Sequence, residues 1–140
     1  MNKLDNKGQA LVIFVMLIPL FIMIGTFIID IGFAKYNERK LNSISKEVIT
    51  YGMKHISDDP RSEMENLIKK NDDEITYYEI DVDTDNNKIK LIINKDSKGI
   101  FGKIIGKELY KIRCSYVGFI KDENIVIEKS DEKWKKMLQK

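Results

Sequence analysis

An uncharged apolar run near the N-terminus constrains this chain more than any other feature. Ala10 to Ile29 contains twenty consecutive residues without a charged side chain. At about 1.5 Å of rise per residue, a helix of this length spans roughly 30 Å, the thickness of the hydrocarbon core of a bilayer. Pro19 removes one backbone hydrogen bond in the middle of the run and is expected to bend the helix, which membrane helices tolerate. The run therefore predicts a single membrane-spanning helix.

Small residues and one carboxylate are candidate contacts with other membrane helices. Gly25 and Thr26 offer a small surface that a second helix can approach closely. Asp30 has two interpretations: it marks the exit of the helix from lipid, or it pairs with the membrane helix of a partner subunit, because a buried carboxylate needs a partner. The complete set of candidate contact residues is Pro19, Gly25, Thr26, Asp30 and Gly32.

A secretory signal peptide is the alternative interpretation of the same segment. The apolar region of such a signal has about 7–15 residues and ends at a small-residue cleavage site. Gly32-Phe33-Ala34 has small residues at the two required positions, so cleavage there would release a domain that begins at Lys35. Basic residues precede the run at Lys3 and Lys7 and follow it from Lys35 onwards, so charge alone does not fix the orientation of the helix in a membrane.

Outside this segment the composition is that of one small domain. The chain has 140 residues, and 33% of them are charged. From Leu41 to Lys140 basic and acidic side chains are equal in number, so there is no electrostatic reason to expect nucleic-acid binding. Cys114 is the single cysteine, which excludes an intramolecular disulfide, and its place in a predicted strand favours a small buried side chain.

A helical pattern continues beyond the uncharged run. Leu41, Ile44, Val48 and Tyr51 recur at spacings of three and four, and no Gly or Pro interrupts residues 33–51. This stripe is typical of a helix that packs on a core, and contact with a partner helix is the alternative. We therefore expect one long helix, half in lipid and half against a globular head.

The head is predicted to combine a second helix with an antiparallel sheet. Ser57-Asp58-Asp59-Pro60 supplies a capping residue and a proline at the first helical position, so a helix is expected from Pro60 to Lys70. Period-two alternation predicts strands, and Asp85-Asn86-Asn87 predicts the first turn. The alternating sets are Tyr78/Ile80/Val82, Ile89/Leu91/Ile93 and Tyr110/Ile112/Cys114/Tyr116, followed by a hairpin of Val117–Ile120 and Ile125–Glu128 and a last helix over Ser130–Lys140.

The polar residues form no recognisable catalytic or metal-binding pattern. Asp81 to Asn86 begins like a calcium loop, but its sixth and twelfth positions hold Asn86 and Ile92 instead of Gly and Glu. His55 and Cys114 are a formal base and nucleophile, yet no motif supports the pair. The carboxylates of Asp58-Asp59 and Asp72-Asp73-Glu74 lie at helix boundaries, where capping and solvation explain them. We therefore expect no enzyme activity, no cofactor and no metal.

Two short motifs lie at the ends of the apolar run. The first is Gly8-Gln9-Ala10-Leu11-Val12, followed by Phe14 and Pro19, and the second is Ile29-Asp30-Ile31-Gly32. Together they resemble the N-terminal signature of TadE/TadG-like proteins of the Tad (tight adherence, or Flp) pilus-assembly system. In that family the apolar helix ends in an Asp-x-Gly step and continues as an amphipathic helix outside the membrane.

The resemblance implies a membrane-anchored, pilin-related component of pilus assembly. Prepilin-type peptidases cut after a glycine, here between Gly8 and Gln9, and their substrates usually carry Glu at the fifth residue beyond it. This chain has Ile13 there, and an apolar residue at that position is typical of the TadG-like branch. The implied partners are the membrane, other pilus-assembly or pilin-like subunits and a prepilin-type peptidase. A secreted or membrane-tethered binding domain unrelated to pili is the alternative function.

Taken together, these features predict an α+β fold. A single N-terminal transmembrane helix continues as an amphipathic helix and packs on a small antiparallel sheet, in a pilin-like arrangement. The resemblance also implies that the N-terminus is cytoplasmic and the head extracytoplasmic. The expected divisions are a cytoplasmic tail (1–9), a transmembrane helix (10–29), its extramembrane continuation (30–56) and an α+β head (57–140).

Overall fold

The computed structural model describes residues 3–104, 106 and 109–130. A single helix of 52 residues, α1 (Lys3–Lys54), comes first and passes through Pro19 without interruption. The remaining elements are a short 3₁₀ turn (Ile56–Asp58), α2 (Arg61–Asn71), β1 (Ile75–Asp83), β2 (Lys88–Lys98), α3 (Ile100–Ile104), β3 (Leu109–Lys121) and β4 (Asn124–Lys129). The predicted α+β class, with a long apolar N-terminal helix and a small antiparallel sheet, is confirmed.

The four described strands form one antiparallel sheet in the order β1-β2-β3-β4. The β1–β2 turn has Asn87 at a φ of 49°, a left-handed conformation that Asn tolerates better than most residues. The β3–β4 turn has φ values of 49° at Asp122 and 64° at Glu123, the pattern of a two-residue turn that matches the twist of a hairpin. Both turns lie where the sequence predicted them.

Two boundaries differ from the predictions. The segments predicted separately as Tyr110–Tyr116 and Val117–Ile120 form one strand, because β3 pairs with β2 from Leu109 to Phe119 and with β4 from Tyr116 to Lys121. Pro60 is the N-cap of α2 rather than its first residue, and no side chain caps the helix there. The helix predicted over Ser130–Lys140 lies outside the described residues, apart from Ser130 itself.

The core lies between one face of the sheet and the second half of α1. Leu41, Val48 and Ile49 are fully buried, and they pack against the inward row Ile89, Leu91 and Ile93 of β2 with Met64 and Ile68 of α2. Ile44 of the predicted stripe is buried as well, and Tyr51 is partly buried against the same cluster. The prediction that this stripe packs on a core is confirmed.

The direction of α1 across the sheet defines two ends of the head. Near the end of α1, a Cβ at Gly52 would lie 2.8 Å from Ile89 Cδ1, at the start of β2. Near the middle of α1, Asp30 faces Gly99, just beyond the end of β2. We call the Asp30 end the base of the head and the Gly52 end its top. The apolar half of α1 projects from the base, and α3 lies there too.

Candidate functional site at the base of the head

The first half of α1 is a bare apolar surface. Its large side chains from Leu11 to Ile31 are between 37% and 72% exposed, and none of the most apolar window, of mean hydropathy 2.9, is buried within the molecule. This is the one helix in the described part of the chain that is long and apolar enough to span a membrane. An apolar surface of this extent needs lipid or other apolar helices around it.

Asp30 lies where this bare surface ends, and its carboxylate is fully engaged within the chain. Asp30 is 3% exposed. Its Oδ1 accepts a hydrogen bond from the backbone N–H of Ile100 at 2.7 Å, and its Oδ2 accepts bonds from Phe101 at 2.6 Å and Gly102 at 3.4 Å. These N–H groups open α3, where a helix has no internal acceptors for them. Asp30 therefore ties the middle of α1 to the β2–β3 connection.

This tie depends on a glycine at position 99. A Cβ at Gly99 would lie 2.6 Å from Asp30 Oδ2 and would also collide with the Tyr110 ring. The carboxylate could yield only by leaving the N–H groups that it binds. Gly99 therefore provides the close approach between the end of β2 and α1.

A second contact joins α3 to the apolar half of α1. The rings of Phe27 and Phe101 meet edge to face, with centroids 5.3 Å apart and planes at 68°, a favourable aromatic geometry. Ile100 and Ile104 are 54% and 60% exposed and lie one helical turn apart, on the same side of α3. The apolar surface of α1 thus continues sideways onto α3.

A buried ion cluster lies on another side of the head. Lys95 Nζ is 2.7 Å from Asp72 Oδ2 and 3.0 Å from Glu74 Oε2, and Lys40 Nζ is 3.1 Å from the same Asp72 oxygen. The side chains of Lys95 and Asp72 are 4% and 1% exposed. The cluster links α1, the end of α2 and β2, which are distant in sequence.

Charge pairing within the cluster outweighs the effect of burial on both central groups. Burial, the largest single influence on Asp72, opposes its ionisation, but hydrogen bonds from Lys95, Lys40 and the backbone N–H of Glu74 together lower its pKa. Burial likewise favours the neutral amine of Lys95, but its bonds to Asp72 and Glu74 raise its pKa. Both groups are therefore charged near neutral pH, and the cluster is a structural pair.

Two grooves flank α1 near the base. One, of about 470 Å³, is lined by Asn37, Lys95 and Ser97 among others, and the amide of Asn37 donates to the hydroxyl of Ser97 at 2.9 Å. The other, of about 370 Å³, lies between α1 and the first residues of β3. Within residues 3–104, 106 and 109–130 no group of three His, Cys, Asp or Glu side chains could hold a metal ion.

The predicted helix-contact residues lie in different surroundings. Gly25 and Gly32 are open, since a Cβ at either would meet no atom within 4 Å. Thr26 donates its hydroxyl to the carbonyl of Met23 at 2.9 Å, so it is bonded within its own helix. Pro19 lies inside α1. Asp30 alone is brought to another element, and its carboxylate faces α3 of its own chain.

The candidate processing site lies in the first turns of α1. Gly8 and Gln9 are exposed, and Ile13 is 58% exposed. All three belong to the helical segment that begins at Lys3. A peptidase that cuts between Gly8 and Gln9 would therefore act on helical backbone or on a locally unwound turn.

The formal base and nucleophile each have a different partner. His55 Nδ1 lies 2.9 Å from the carbonyl oxygen of Tyr51 at the top of the head. Cys114 is buried and donates to Asn42 Oδ1 at 3.1 Å. Burial is the largest influence on the Cys114 thiol and raises its pKa, so the thiolate is disfavoured. His55 therefore lies at the end of α1 and Cys114 is a buried side chain, which is how the sequence analysis interpreted both residues.

Two acidic residues have different structural roles: Asp83 stabilises a turn, and Asp72 belongs to the buried ion cluster. Asp83 closes the β1–β2 turn, since its carboxylate accepts from the backbone and side chain of Asn86 at 3.1 and 2.7 Å. Asp72 was expected to be explained by capping and solvation: it is the C-cap residue of α2, but the solvation part is wrong, because its carboxylate is buried in the ion cluster. The sequence contains a sign of this pairing. Lys95 lies two residues after Ile93, on the same inward face of β2, so its buried charge requires an anion nearby.

No family model, curated protein or solved structure matches this chain.

Proposed function

We propose that this chain is a membrane-anchored, non-enzymatic, pilin-related component of Tad/Flp-type pilus assembly, nearest the TadG-like branch. One observation carries the proposal: a single 52-residue helix, α1, has a bare apolar first half and a second half packed on a four-stranded antiparallel sheet. That geometry suits a pilin-like subunit, whose helix both anchors it and associates with neighbours. The residues that resemble the TadE/TadG-like signature support the same function.

In this proposal the first half of α1 makes the helix–helix contacts through which the subunit assembles. Gly25 and Gly32 leave open positions where a second helix could approach closely. The missing N–H of Pro19 frees a carbonyl that a neighbouring helix can satisfy. The N-terminus is cytoplasmic and the head extracytoplasmic, and the partners are the membrane, other pilin-like or pilus-assembly subunits and a prepilin-type peptidase. The mechanism is association rather than catalysis, and nucleic acid is not a partner.

The contacts of Asp30 argue against a domain released by cleavage after Ala34. A chain that begins at Lys35 lacks Asp30, so the N–H groups of Ile100, Phe101 and Gly102 lose their acceptor. It also lacks Phe27, the aromatic partner of Phe101. Phe27 and Asp30 therefore contribute to the structure of the head, which favours a permanent anchor over a secreted domain.

The processing state is tested by the intact mass of the protein from its own host. A chain from the membrane fraction that starts at Gln9 would mean that a prepilin-type peptidase accepts Ile13. A chain that retains residues 1–8 would make the protein a permanent anchor in assembly. A species that starts at Lys35 in the medium would overturn the proposal.

The assembly role is tested in host cells by complementing a deletion strain. We expect the deletion to abolish surface pili and the wild-type chain to restore them. Gly25→Leu should fail to restore them, because it fills the open position, whereas Ile22→Leu, a neighbouring exposed apolar site, should restore them. Both variants should accumulate in membranes to the wild-type level. If pili are unchanged in the deletion strain, the pilus function is wrong.

A further inference from the structure

We infer that α3 is a lipid-contacting foot of the head, which seats Ile100 and Ile104 in the interfacial layer of the same bilayer that α1 crosses. The inference rests on the membrane anchoring in the proposed function and is independent of any role in pili. It assigns a partner, the lipid surface, to the connection between β2 and β3.

The position of α3 in the head is the first reason. The β1–β2 and β3–β4 turns both lie at the top, because β2 begins at Lys88 near the top and β3 ends there at Lys121. The β2–β3 connection is the one sheet connection at the base. Over the ten steps from Lys88 to Lys98 a strand extends about 33 Å. Of the three described sheet connections, only the one with α3 can reach the membrane surface.

The contact with Phe27 sets the depth. Phe27 belongs to the uncharged run that ends at Ile29, and its ring touches that of Phe101 in α3. Along α1, Phe27 lies about 4.5 Å below Asp30, at roughly 1.5 Å per residue. When the uncharged run fills the hydrocarbon core, α3 therefore lies at the level where that core meets the headgroups.

The exposed side chains of α3 suit that level. Ile100 and Ile104 are more than half exposed within the protein. In the inferred arrangement, lipid covers them as it covers the neighbouring half of α1. Lys98 and Lys103 lie beside them and are exposed, so their ammonium groups can reach lipid phosphates while their stems lie along apolar surface. Apolar side chains flanked by lysines are the composition of segments that lie in a membrane interface.

The Asp30 carboxylate makes this placement feasible. Free backbone N–H groups at the start of a helix are costly in an apolar environment, and so is an unpaired carboxylate. Asp30 and the N–H groups of Ile100, Phe101 and Gly102 satisfy one another. Gly102 and Asp30 are buried, so the hydrogen-bonded side of α3 is turned toward the protein. The apolar side chains lie on the exposed side.

Tryptophan depth measurements on the full chain in vesicles test the inference. The single native tryptophan is removed by Trp134→Phe, and one tryptophan is then introduced by Ile104→Trp or, as a second exposed position on α3, Ile100→Trp. Asp85→Trp in the top turn is the aqueous control, and Phe21→Trp in the bare half of α1 reports the span. The vesicles contain phosphatidylcholine with a minor share of phosphatidylglycerol, and the quenchers are brominated acyl chains and aqueous acrylamide.

We expect the tryptophans at 104 and 100 to have blue-shifted emission and to be quenched by brominated lipid, with acrylamide quenching several-fold weaker than at position 85. Quenching like that of position 85 would overturn the inference, and so would protection from both quenchers, which would mean that protein covers α3. The tryptophan at position 21 tests the membrane span separately. If brominated lipid quenches it but does not quench the tryptophans at 104 and 100, only the foot is refuted. The absence of this quenching at position 21 refutes the anchor as well.

Discussion

The two halves of α1 have the same secondary structure and opposite surroundings. Between Ala10 and Ile29 the helix is apolar on every side, and its ring contact with another described element lies near its end, where Phe27 meets Phe101. Between Leu41 and Met53 it is amphipathic, and one face is fully buried against the sheet. The first half therefore depends on its environment for stability and the second half on the head. Asp30 and α3 lie at the border between the two halves.

The largest effect should come from the same substitution made in each half. Leu41 is fully buried, whereas Leu20 is 50% exposed. Leu41→Ala leaves a cavity and should lower the free energy of unfolding of the head by about 2–5 kcal/mol, and Leu20→Ala should change it by less than about 0.5 kcal/mol. Chemical denaturation in detergent micelles, followed by near-ultraviolet circular dichroism, measures both. Equal effects would mean that the two halves are not independent.

Glycine replacements sharpen the contrast. A Cβ at Gly118 would collide with Ile49 Cγ2 in the core, whereas a Cβ at Gly32 would meet nothing within 4 Å. Gly118→Ala should destabilise the head by about 1–3 kcal/mol through overpacking. Gly32→Ala should leave it unchanged or stabilise the helix by up to about 1 kcal/mol. The same denaturation experiment applies, and a neutral Gly118→Ala would contradict the close packing of β3 on α1.

The border itself should show an intermediate effect. Asp30→Ala removes the acceptor of the opening N–H groups of α3 and should cost about 1–2 kcal/mol, the range for loss of a capping carboxylate. Amide hydrogen exchange should accelerate at Ile100 and Phe101, whose N–H groups donate to Asp30. Asp58→Ala, at an exposed acidic position, is the matched control and should leave those amides unchanged. Unaltered protection in the Asp30 variant would disprove the tie.

The smallest effect should be a pH dependence confined to the head. The pKa of Asp72 is lowered in the folded state, so its stabilisation is present above its unfolded pKa and is lost as pH falls through the folded value. Between pH 7 and pH 3 the stability advantage of the wild type over Asp72→Asn should therefore shrink. The stretch from Gly8 to Ile29 has no ionisable side chain, so its helicity, read from an isotope-labelled peptide of that stretch in micelles, should not respond. A constant advantage would mean that Asp72 is not ionised in the folded protein.

Local pattern was enough to predict most elements of the fold. The uncharged run, the three-four stripe of Leu41, Ile44 and Val48, and the alternation in β1 and β2 each reflect one periodicity that burial imposes on side chains. The asparagines of the β1–β2 turn likewise act through backbone conformations that they adopt easily. These signals are local, because each residue constrains only its neighbours.

Pattern was insufficient wherever a polar side chain met a distant element. Asp30 could be interpreted only as the exit from lipid or the partner of another subunit, since α3 begins seventy residues later at Ile100. The single strand β3 was predicted as two adjoining segments because its helix-facing row changes from Tyr116 to Gly118, where Ile49 fills the space that a side chain would occupy. Lys95 likewise pairs with Asp72 across 23 residues of sequence, a separation that no local pattern connects.

The sequence by itself therefore determined that a helix of membrane-spanning length and composition leads into a small α+β head. It could do so because hydrophobicity and its period are properties of single segments. Tertiary structure alone decided that Asp30 caps α3, that Lys95 pairs with Asp72 and that Phe101 meets Phe27. Each of those contacts requires the sheet first to bring the β2–β3 connection or the end of α2 against α1.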